Sequence, residues 1–353
     1  MYTRLPLRGK ARYTFLALLI LGILSLICRY YLESGKQSTN LSTTDRPPSI
    51  FVAANLRNNA RILRNWIKQV ELLVKWAGPS RVFVSIYENG SRDETKAILK
   101  EWEEQLSKKN IAHRIVTEDA SSIKGVRRIP RLANIRNKAL EPFEPGKYDR
   151  LLFLNDISFR VEDAIELINT NQGDYDAACG MDFFGQFYDV FATREVDGGW
   201  VGSGDYPYFA DEASRDLLVA GKPVPVYSCW NGMVVFRTEP FEKQQEEKLA
   251  FRAILPDEPD PPMEASECCL IFTDLRRLKH DTRVYINPQV KVAYDHFHYW
   301  YASYILPLWK PYLSWSNHPI RPSMDESWLN STNQAISMGT DPGDRYCLWP
   351  IGK

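Results

Sequence analysis

The sequence predicts an α/β fold with a mostly parallel central sheet, preceded by one transmembrane helix. From Ser49 onward, short β-branched or aromatic runs alternate with stretches of helical periodicity, which is typical of α/β domains. Near the N-terminus, Thr14 to Cys28 is a continuous apolar stretch, and the RYYL that follows extends it to about the length that crosses a bilayer.

Composition limits the size and the partners of the protein. A chain of 353 residues forms one large domain or two smaller ones. Lys plus Arg equal Asp plus Glu at 44 each, so no net charge draws the protein to nucleic acid, and we expect no nucleic-acid partner. The aromatic content of 12% favours a binding cleft lined by rings.

The apolar stretch predicts a signal anchor at residues 14–32, between a cytosolic tail (1–13) and a lumenal stem (33–48). Four basic residues and no acidic one precede it, so the positive-inside rule places the short N-terminus in the cytosol: Arg4, Arg8, Lys10 and Arg12. The stem is rich in Ser and Thr and lacks an apolar period. A cleaved signal peptide is the alternative, because it shares the basic start and apolar centre.

The first half of the lumenal part reads as alternating strands and helices. The pattern predicts strands at Ser49–Ala54, Arg81–Tyr87 and His113–Val116, and a helix at Asn59–Trp76 with one apolar face. Ser91 and Glu94 have the spacing of a capping box, which predicts a helix from there to about Leu106.

The second half adds two helices, two strands and long loops. We expect a helix at about Arg131–Leu140, the most apolar strand at Asp149–Leu154, a strand at Met233–Phe236 and a helix around Cys268–Lys279. Between residues 180 and 208 the chain is rich in Gly, Asp and Tyr, which suits long loops over a site.

Six cysteines are too few for a disulfide scaffold of this length. Cys28 lies in the apolar stretch, where a bridge is implausible. Among the other five, one or two bridges can form in an oxidising lumen, with one thiol left over: Cys179, Cys229, Cys268, Cys269 and Cys347.

Polar residues at the strand ends are the first candidates for a site, because open α/β sheets bind ligands beyond the carboxyl ends of their strands. Such residues occur in three places, namely Asn55 and Arg57, Glu88 and Asp93, and Asn155 and Asp156. Glu88 can accept hydrogen bonds from a nucleobase or a ribose, and Asp156 can contact a metal–diphosphate. Alternatively, Asp93 only offsets a helix dipole and Asp156 caps the next helix.

Basic residues upstream of Asp156 can counter the charge of a diphosphate. The two that we assign to this role are Arg131 and Arg136, within a run that also holds Lys124, Arg127 and Arg128. A solvated basic helix face is the alternative.

With these motifs in order, the chain resembles a known class of enzymes. NGSRDET, NIRNKAL and YDRLLFLND resemble the pattern of GT-A glycosyltransferases. FVAANLRNN, FLNDISF, YDAACGMDF, YSCWNGMVVF and SECCL are similar to the fungal capsule-associated mannosyltransferases, glycosyltransferase family 69. This resemblance runs from about Ile50 to Tyr299.

The resemblance implies a GT-A-like, Rossmann-type nucleotide-sugar-binding domain at 49–310, followed by a C-terminal extension at 311–353. It further implies a type II Golgi membrane enzyme that transfers mannose from GDP-mannose to a mannose-containing glycan in α-1,3 linkage, with Mn²⁺ or Mg²⁺. The usual Asp-x-Asp motif of GT-A enzymes is replaced by Asn155-Asp156-Ile157-Ser158, with one carboxylate instead of two, so metal dependence stays open.

Later residues fill the remaining roles that the resemblance implies. Glu267 and Asp182 are the catalytic candidates, since either carboxylate can stabilise an oxocarbenium-like sugar as GDP leaves with retention. The candidates for binding the acceptor are Trp230 and Asn231, and the alternative is that Trp230 is a core residue.

The candidates for a late metal ligand are His296 and His298, which would share one face if they lay in a strand. The alternative is a pair of surface histidines.

Two other functions remain open at this point. A non-catalytic glycan-binding or scaffold protein could keep a GT-A fold after losing a metal carboxylate, and Asn155 is the residue that favours it. A nucleotide-sugar hydrolase would share the donor site and differ only in its products.

Overall fold

The computed structural model describes residues 46–119, 127–242, 248–254, 263–320, 332–333 and 342–350. The predicted anchor at 14–32 lies outside these residues. Among the described residues, no helix combines the length and the apolar character that crossing a membrane requires. The described residues from Pro48 onward belong to one compact unit.

A large mixed sheet forms the centre of this unit. Its strands are β1 (Ile50–Leu56), β2 (Val82–Glu88), β3 (Ala112–Thr117), β4 (Arg150–Leu154), β5 (Ala177–Phe184), β6 (Gln186–Phe187), β7 (Arg194–Glu195), β8 (Val224–Ser228), β9 (Met233–Arg237) and β11 (Val284–Ala293). They lie in the order β3-β2-β1-β4-β9-β5-β11-β8-β7, and β6 pairs with β5. A separate small sheet pairs β10 (Met263–Ala265) with β12 (Leu348–Pro350).

The expectation of a mostly parallel sheet holds for only one half of it. Strands β3, β2, β1 and β4 are parallel to one another, as are β5 and β11. Strand β9, however, lies between β4 and β5 and runs antiparallel to both. The apolar pattern of a buried strand is the same in either direction, so the sequence of β9 predicts a strand without indicating its orientation.

Helices cover both faces of the sheet. They are α1 (Ala60–Ala77), α2 (Thr95–Lys108), α3 (Arg128–Leu140), α4 (Val161–Ile168), α5 (Glu212–Val219), α6 (Glu267–Leu278), α7 (His296–Trp300) and α8 (Leu306–Ser316), with a π-helical turn at Tyr301–Ile305. Alternate residues of β1 enter different cores: Phe51 and Ala53 pack on the side of α3 and α6, whereas Val52 and Ala54 pack on the side of α1 and α2.

The strand and helix predictions are confirmed to within a few residues, except at the start of α2 and at His296 and His298, which lie in α7. Helix α2 begins at Thr95, and the capping box between Ser91 and Glu94 does not form. The Ser91 hydroxyl instead accepts a hydrogen bond from the Asn58 amide at 2.8 Å, while Asp93 accepts one from the Thr95 amide at 3.0 Å. The carboxylate of Asp93 therefore replaces the predicted cap.

Two disulfides form, Cys179–Cys229 and Cys269–Cys347, and the buried thiol of Cys268 is left over. The predicted upper number of bridges is thus confirmed. Cys28 lies outside the described residues.

Candidate active site

The carboxyl edge of the sheet brings the predicted site residues together. Strands β1, β2, β4 and β5 end at this edge, and the antiparallel β9 begins there, since Met233 pairs with Leu154. The predicted site residues that this topology places at the edge are Asn55, Arg57, Glu88, Asn155, Asp156, Asp182, Trp230 and Asn231.

The ends of β1 and β2 hold two buried acceptor atoms that lack a hydrogen-bond donor. Glu88 is fully buried; one of its carboxylate oxygens accepts from the Ser91 amide, and the other has no partner. Asn55 donates to the Ile135 carbonyl at 2.8 Å, but its own side-chain oxygen is unpaired. Buried acceptors without a donor are costly, so a ligand that supplies N–H groups would stabilise this corner.

Asp93, predicted to contact the nucleotide-sugar donor, accepts hydrogen bonds at the N-terminal ends of two helices, α1 and α2. Its carboxylate accepts from the amides of Ala60 and Thr95, both at 3.0 Å. Partial burial acts to raise the pKa of Asp93, but the hydrogen bonds from Thr95 and Ala60 outweigh it, and the pKa lies below its ordinary value. These contacts match the structural alternative for Asp93.

Three guanidinium groups crowd together between β1 and the start of α3. Burial lowers the pKa of Arg131, and the charges of Arg57 and Arg128 lower it further. None of the three forms an ion pair with any described residue, and the Nε atoms of Arg57 and Arg131 are buried without a hydrogen-bond partner. Such a cluster is suited to an anion, because a bound anion would relieve both the repulsion and the missing hydrogen bonds.

Asp156 is joined to this region through Asn59. The Asn59 side chain donates to Asp156 Oδ2 at 2.9 Å, and its oxygen accepts from the Arg57 amide at 2.6 Å. Burial raises the pKa of Asp156. The neighbouring Asn155 turns its side-chain oxygen elsewhere, to Trp230 Nε1 at 3.1 Å and to an Arg136 nitrogen at 3.5 Å.

The predicted metal ligands do not form a metal centre among the described residues. No three His, Cys, Asp or Glu side chains of this part of the chain lie close enough together to hold an ion. The prediction that His296 and His298 share one face of a strand is wrong: both lie in α7, where residues two apart point in different directions. A hydrogen bond joins His296 Nδ1 to Ser158 Oγ at 3.0 Å, and another joins His298 Nδ1 to Asp295 at 2.7 Å.

A buried ion pair lies behind the sheet edge. Arg136 Nε donates to Glu267 Oε1 at 3.0 Å, and both side chains are buried. The guanidinium also stacks on Trp230, 4.2 Å from the ring centroid. Since Trp230 is only 2% exposed, its ring is packed in the core and cannot stack on a sugar in this conformation. The core reading of Trp230 therefore replaces the predicted acceptor contact.

Asp182 is the centre of a buried hydrogen-bond network. It accepts from the Asp189 amide at 3.0 Å, from the Asn231 side chain at 3.4 Å and from the Tyr294 hydroxyl at 2.9 Å. Burial, and then the charge of Asp189, raises the pKa of Asp182 to about 7. A carboxylate with a pKa near neutrality in a buried polar network is typical of a functional group.

Sequence reasoning missed Asp189 and Tyr294 as partners of Asp182. Asp189 lies in the Gly-, Asp- and Tyr-rich stretch, where no periodicity indicates which side chain turns inward. Tyr294 directly precedes the Asp-His-Phe-His motif, whose two histidines are the predicted metal ligands, so the motif indicates a functional segment without indicating the tyrosine.

The turn at Gly232 places Asn231 and the start of β9 against Asp182. Gly232 has φ +73°, and a Cβ atom there would lie 2.9 Å from Ile157 Cγ2 and 3.5 Å from Asp182 Cβ. We expect Gly232→Ala to lower the free energy of unfolding by about 1–3 kcal/mol, through strain and overpacking together. Urea unfolding followed by fluorescence measures this loss.

Gly146→Ala is the matched control, because Gly146 has φ +69° but open space where the Cβ would lie. Equal losses in the two variants would mean that the close contacts at Gly232 contribute nothing.

This chain is similar to solved structures of known proteins and matches the model of one protein family. The mannosyltransferase PcManGT from Pyrobaculum calidifontis, solved with GDP-Man and Mn²⁺, superposes with a TM-score of 0.45 at 13% identity, covering 93% of this chain and 87% of that one. Residues 1–349 of S. aureus TarS superpose with a TM-score of 0.39 at 13% identity, covering 85% and 83%. No curated protein is similar enough in sequence to count as a match. The family model described as Cryptococcal mannosyltransferase 1 matches residues 49–274, more than half of the chain. The chain therefore belongs to this family of mannosyltransferases.

Proposed function

We propose that this protein transfers mannose from GDP-mannose to a mannose-containing glycan, in α-1,3 linkage and with retention. Family membership supports the reaction class. The observation that carries the proposal is the cluster of Arg57, Arg128 and Arg131, which no described carboxylate neutralises. A nucleoside diphosphate bears the charge that such a cluster binds.

The nucleobase would lie at the ends of β1 and β2. Two buried acceptors there lack donors, one on Asn55 and one on Glu88. Guanine presents N–H groups at two adjacent positions of its edge, N1 and N2, whereas uracil presents only one N–H. Two unpaired acceptors favour guanine, which supports GDP-mannose as the donor.

In the proposed reaction, the bond between the anomeric carbon and GDP breaks ahead of attack by the acceptor. The arginine cluster stabilises the charge of the leaving diphosphate. The carboxylate of Asp182, which is fully buried, stabilises the sugar cation through its charge and without direct contact. Glu267, the other catalytic candidate, is neutralised by Arg136, so we assign it to holding Arg136 against Trp230. The leaving phosphate accepts the proton of the attacking hydroxyl.

We propose that transfer depends on Mn²⁺ or Mg²⁺ and that Asp156 would contact the cation. Asp156 Oδ2 accepts a hydrogen bond from Asn59. Asp156 Oδ1 is the oxygen that would bind a hard cation.

We also propose that the enzyme is a single-pass type II protein of the Golgi membrane with its catalytic domain in the lumen. The apolar stretch and basic N-terminus support the anchor. The two disulfides support an oxidising compartment.

The test is incubation of the full-length chain, in detergent micelles, with radiolabelled GDP-mannose, α-mannobiose and Mn²⁺. We expect labelled trisaccharide, and we expect Asp156→Ala to lower its rate of formation about 10- to 100-fold, the effect of losing one charge-assisted contact. EDTA should lower the rate similarly if a cation binds at Asp156.

Asp281→Ala is the control, because Asp281 is exposed and precedes the start of β11, at the end of the sheet opposite to the carboxyl ends of the strands. Transfer that survives EDTA but not Asp156→Ala would mean that arginines act in place of the metal. A folded protein that neither binds nor turns over GDP-mannose would instead support the scaffold function, which Asn155 favours. Release of free mannose alone would identify a hydrolase.

A further inference from the structure

A row of exposed aromatic rings extends outward from the Asp182 network. The four side chains that carry most of its exposed surface are Phe184 (54%), Tyr188 (55%), Phe297 (63%) and Trp300 (47%). Large apolar side chains exposed side by side, rather than singly, mark an interaction site.

The rings follow one another at short distances. The Tyr294 ring, whose hydroxyl donates to Asp182 Oδ2 at 2.9 Å, lies 5.1 Å from the Tyr188 ring. From Tyr188 the centroid distances are 6.0 Å to Phe184 and then 4.7 Å to His298. From His298 they are 5.5 Å to Phe297 and then 6.3 Å to Trp300. We call these six residues the aromatic row.

The local structure fixes the position of the row. Phe184 lies two residues after Asp182 in β5, immediately before the turn at Gly185, where φ is +81°. Phe297 and Trp300 lie in α7, whose start is held by the Asp295 carboxylate accepting from the His298 amide at 2.8 Å. One end of the row is thereby attached to the strand that carries Asp182, and the other to the helix that follows β11.

The chemistry of the row suits a neutral glycan better than a lipid surface. Its polar atoms bond to carboxylates, since Tyr294 donates to Asp182 and His298 is hydrogen-bonded to Asp295. Negative charge beside the rings opposes anionic lipid headgroups but not an uncharged sugar.

We propose that the aromatic row binds the acceptor glycan, with successive sugar rings stacked on it and the reacting hydroxyl directed to the Asp182 end. This inference rests on the proposed transferase function and names the surface that takes the place of the buried Trp230. The apolar faces of sugar rings pack on aromatic rings, while their hydroxyl groups bond to the polar atoms beside them.

The test compares Phe184→Ala and Trp300→Ala with Trp315→Ala in the full-length protein. Trp315 is an equally large aromatic residue, 78% exposed in α8, and it lies outside the row. We expect each row variant to weaken binding of α-1,3-mannotriose, without donor, roughly 3- to 10-fold as measured by NMR line broadening of the sugar. KM for the acceptor should rise by the same factor, with kcat little changed.

Binding of GDP-mannose by the same variants separates this proposal from the proposed function. Unchanged donor binding with weaker mannotriose binding supports the row even if no transfer is detected. Equal mannotriose binding by the wild type and both row variants overturns it, as does an equal loss in Trp315→Ala. In a parallel arm the full-length protein is inserted into phosphatidylcholine–phosphatidylserine vesicles through its proposed anchor. Mannotriose binding that is present in micelles but lost in the vesicles would identify the row as a membrane contact and overturn the proposal.

Discussion

Replacing Asp182 with Asn is expected to lower kcat by about 10²- to 10³-fold, the usual effect of removing one preorganised electrostatic group from a site. The amide keeps the size of the side chain and one acceptor oxygen but loses the negative charge that would stabilise the sugar cation. Because the pKa of Asp182 lies at about 7, kcat of the wild type should fall as the pH is lowered through 7. The residual rate of Asp182→Asn should lack this step.

Stability offers an independent check on Asp182. Its pKa is about 7 in the folded protein against an ordinary value of 3.8, so the folded state binds the extra proton between these values. The free energy of unfolding of the wild type should therefore decrease, relative to Asp182→Asn, as the pH rises from about 4 to about 7. Asp174→Asn is the control for stability, since Asp174 is a surface carboxylate paired with Arg283.

A kcat of Asp182→Asn at pH 8 equal to that of the wild type would show that Asp182 takes no part in the mechanism.

Replacing Arg136 with Met is expected to lower the free energy of unfolding by about 3–5 kcal/mol, because it leaves the buried carboxylate of Glu267 without its partner. The substitution also removes the cation stacked on Trp230. Urea unfolding followed by tryptophan fluorescence measures the change in the free energy of unfolding.

The double variant Arg136→Met with Glu267→Gln should regain a large part of that loss, since no charge then remains buried. Arg64→Ala is the matched control: Arg64 pairs with Glu101 on the surface, where both side chains are more than half exposed, and its loss should cost less than about 1 kcal/mol. An equal cost for Arg136 and Arg64 would mean that the buried charge is already neutral.

The buried strands could be predicted from sequence because their apolar runs have no competing reading. The run at residues 150–154 is an example, and it is confirmed as β4. The direction of β9 could not be predicted, since the apolar run of β9 packs equally well in a parallel or an antiparallel strand. The start of α2 was misplaced because Ser91 and Asp93 are both good capping residues, and only the contact of Asn58 with Ser91 decides between them.

The site could be located from sequence, but the state of its side chains could not. The topology places the predicted residues at one edge, as the strand-end rule indicates. Whether Trp230 faces a sugar or the core depends on Arg136 and Phe153, which approach it only after folding. The two histidines would share a face only in a strand, and the short aromatic-rich stretch around them does not distinguish a strand from one helical turn.

The bridge between Cys179 and Cys229 has a consequence for how the protein exchanges its substrates. Cys179 lies three residues before Asp182 in β5, and Cys229 lies two residues before Asn231. The covalent bond thus joins the two segments whose side chains meet at Asp182, and they cannot separate while it is intact. In the proposed transferase, admission of the donor and release of the nucleotide therefore depend on movement elsewhere, and the segments beside Asp182 stay fixed.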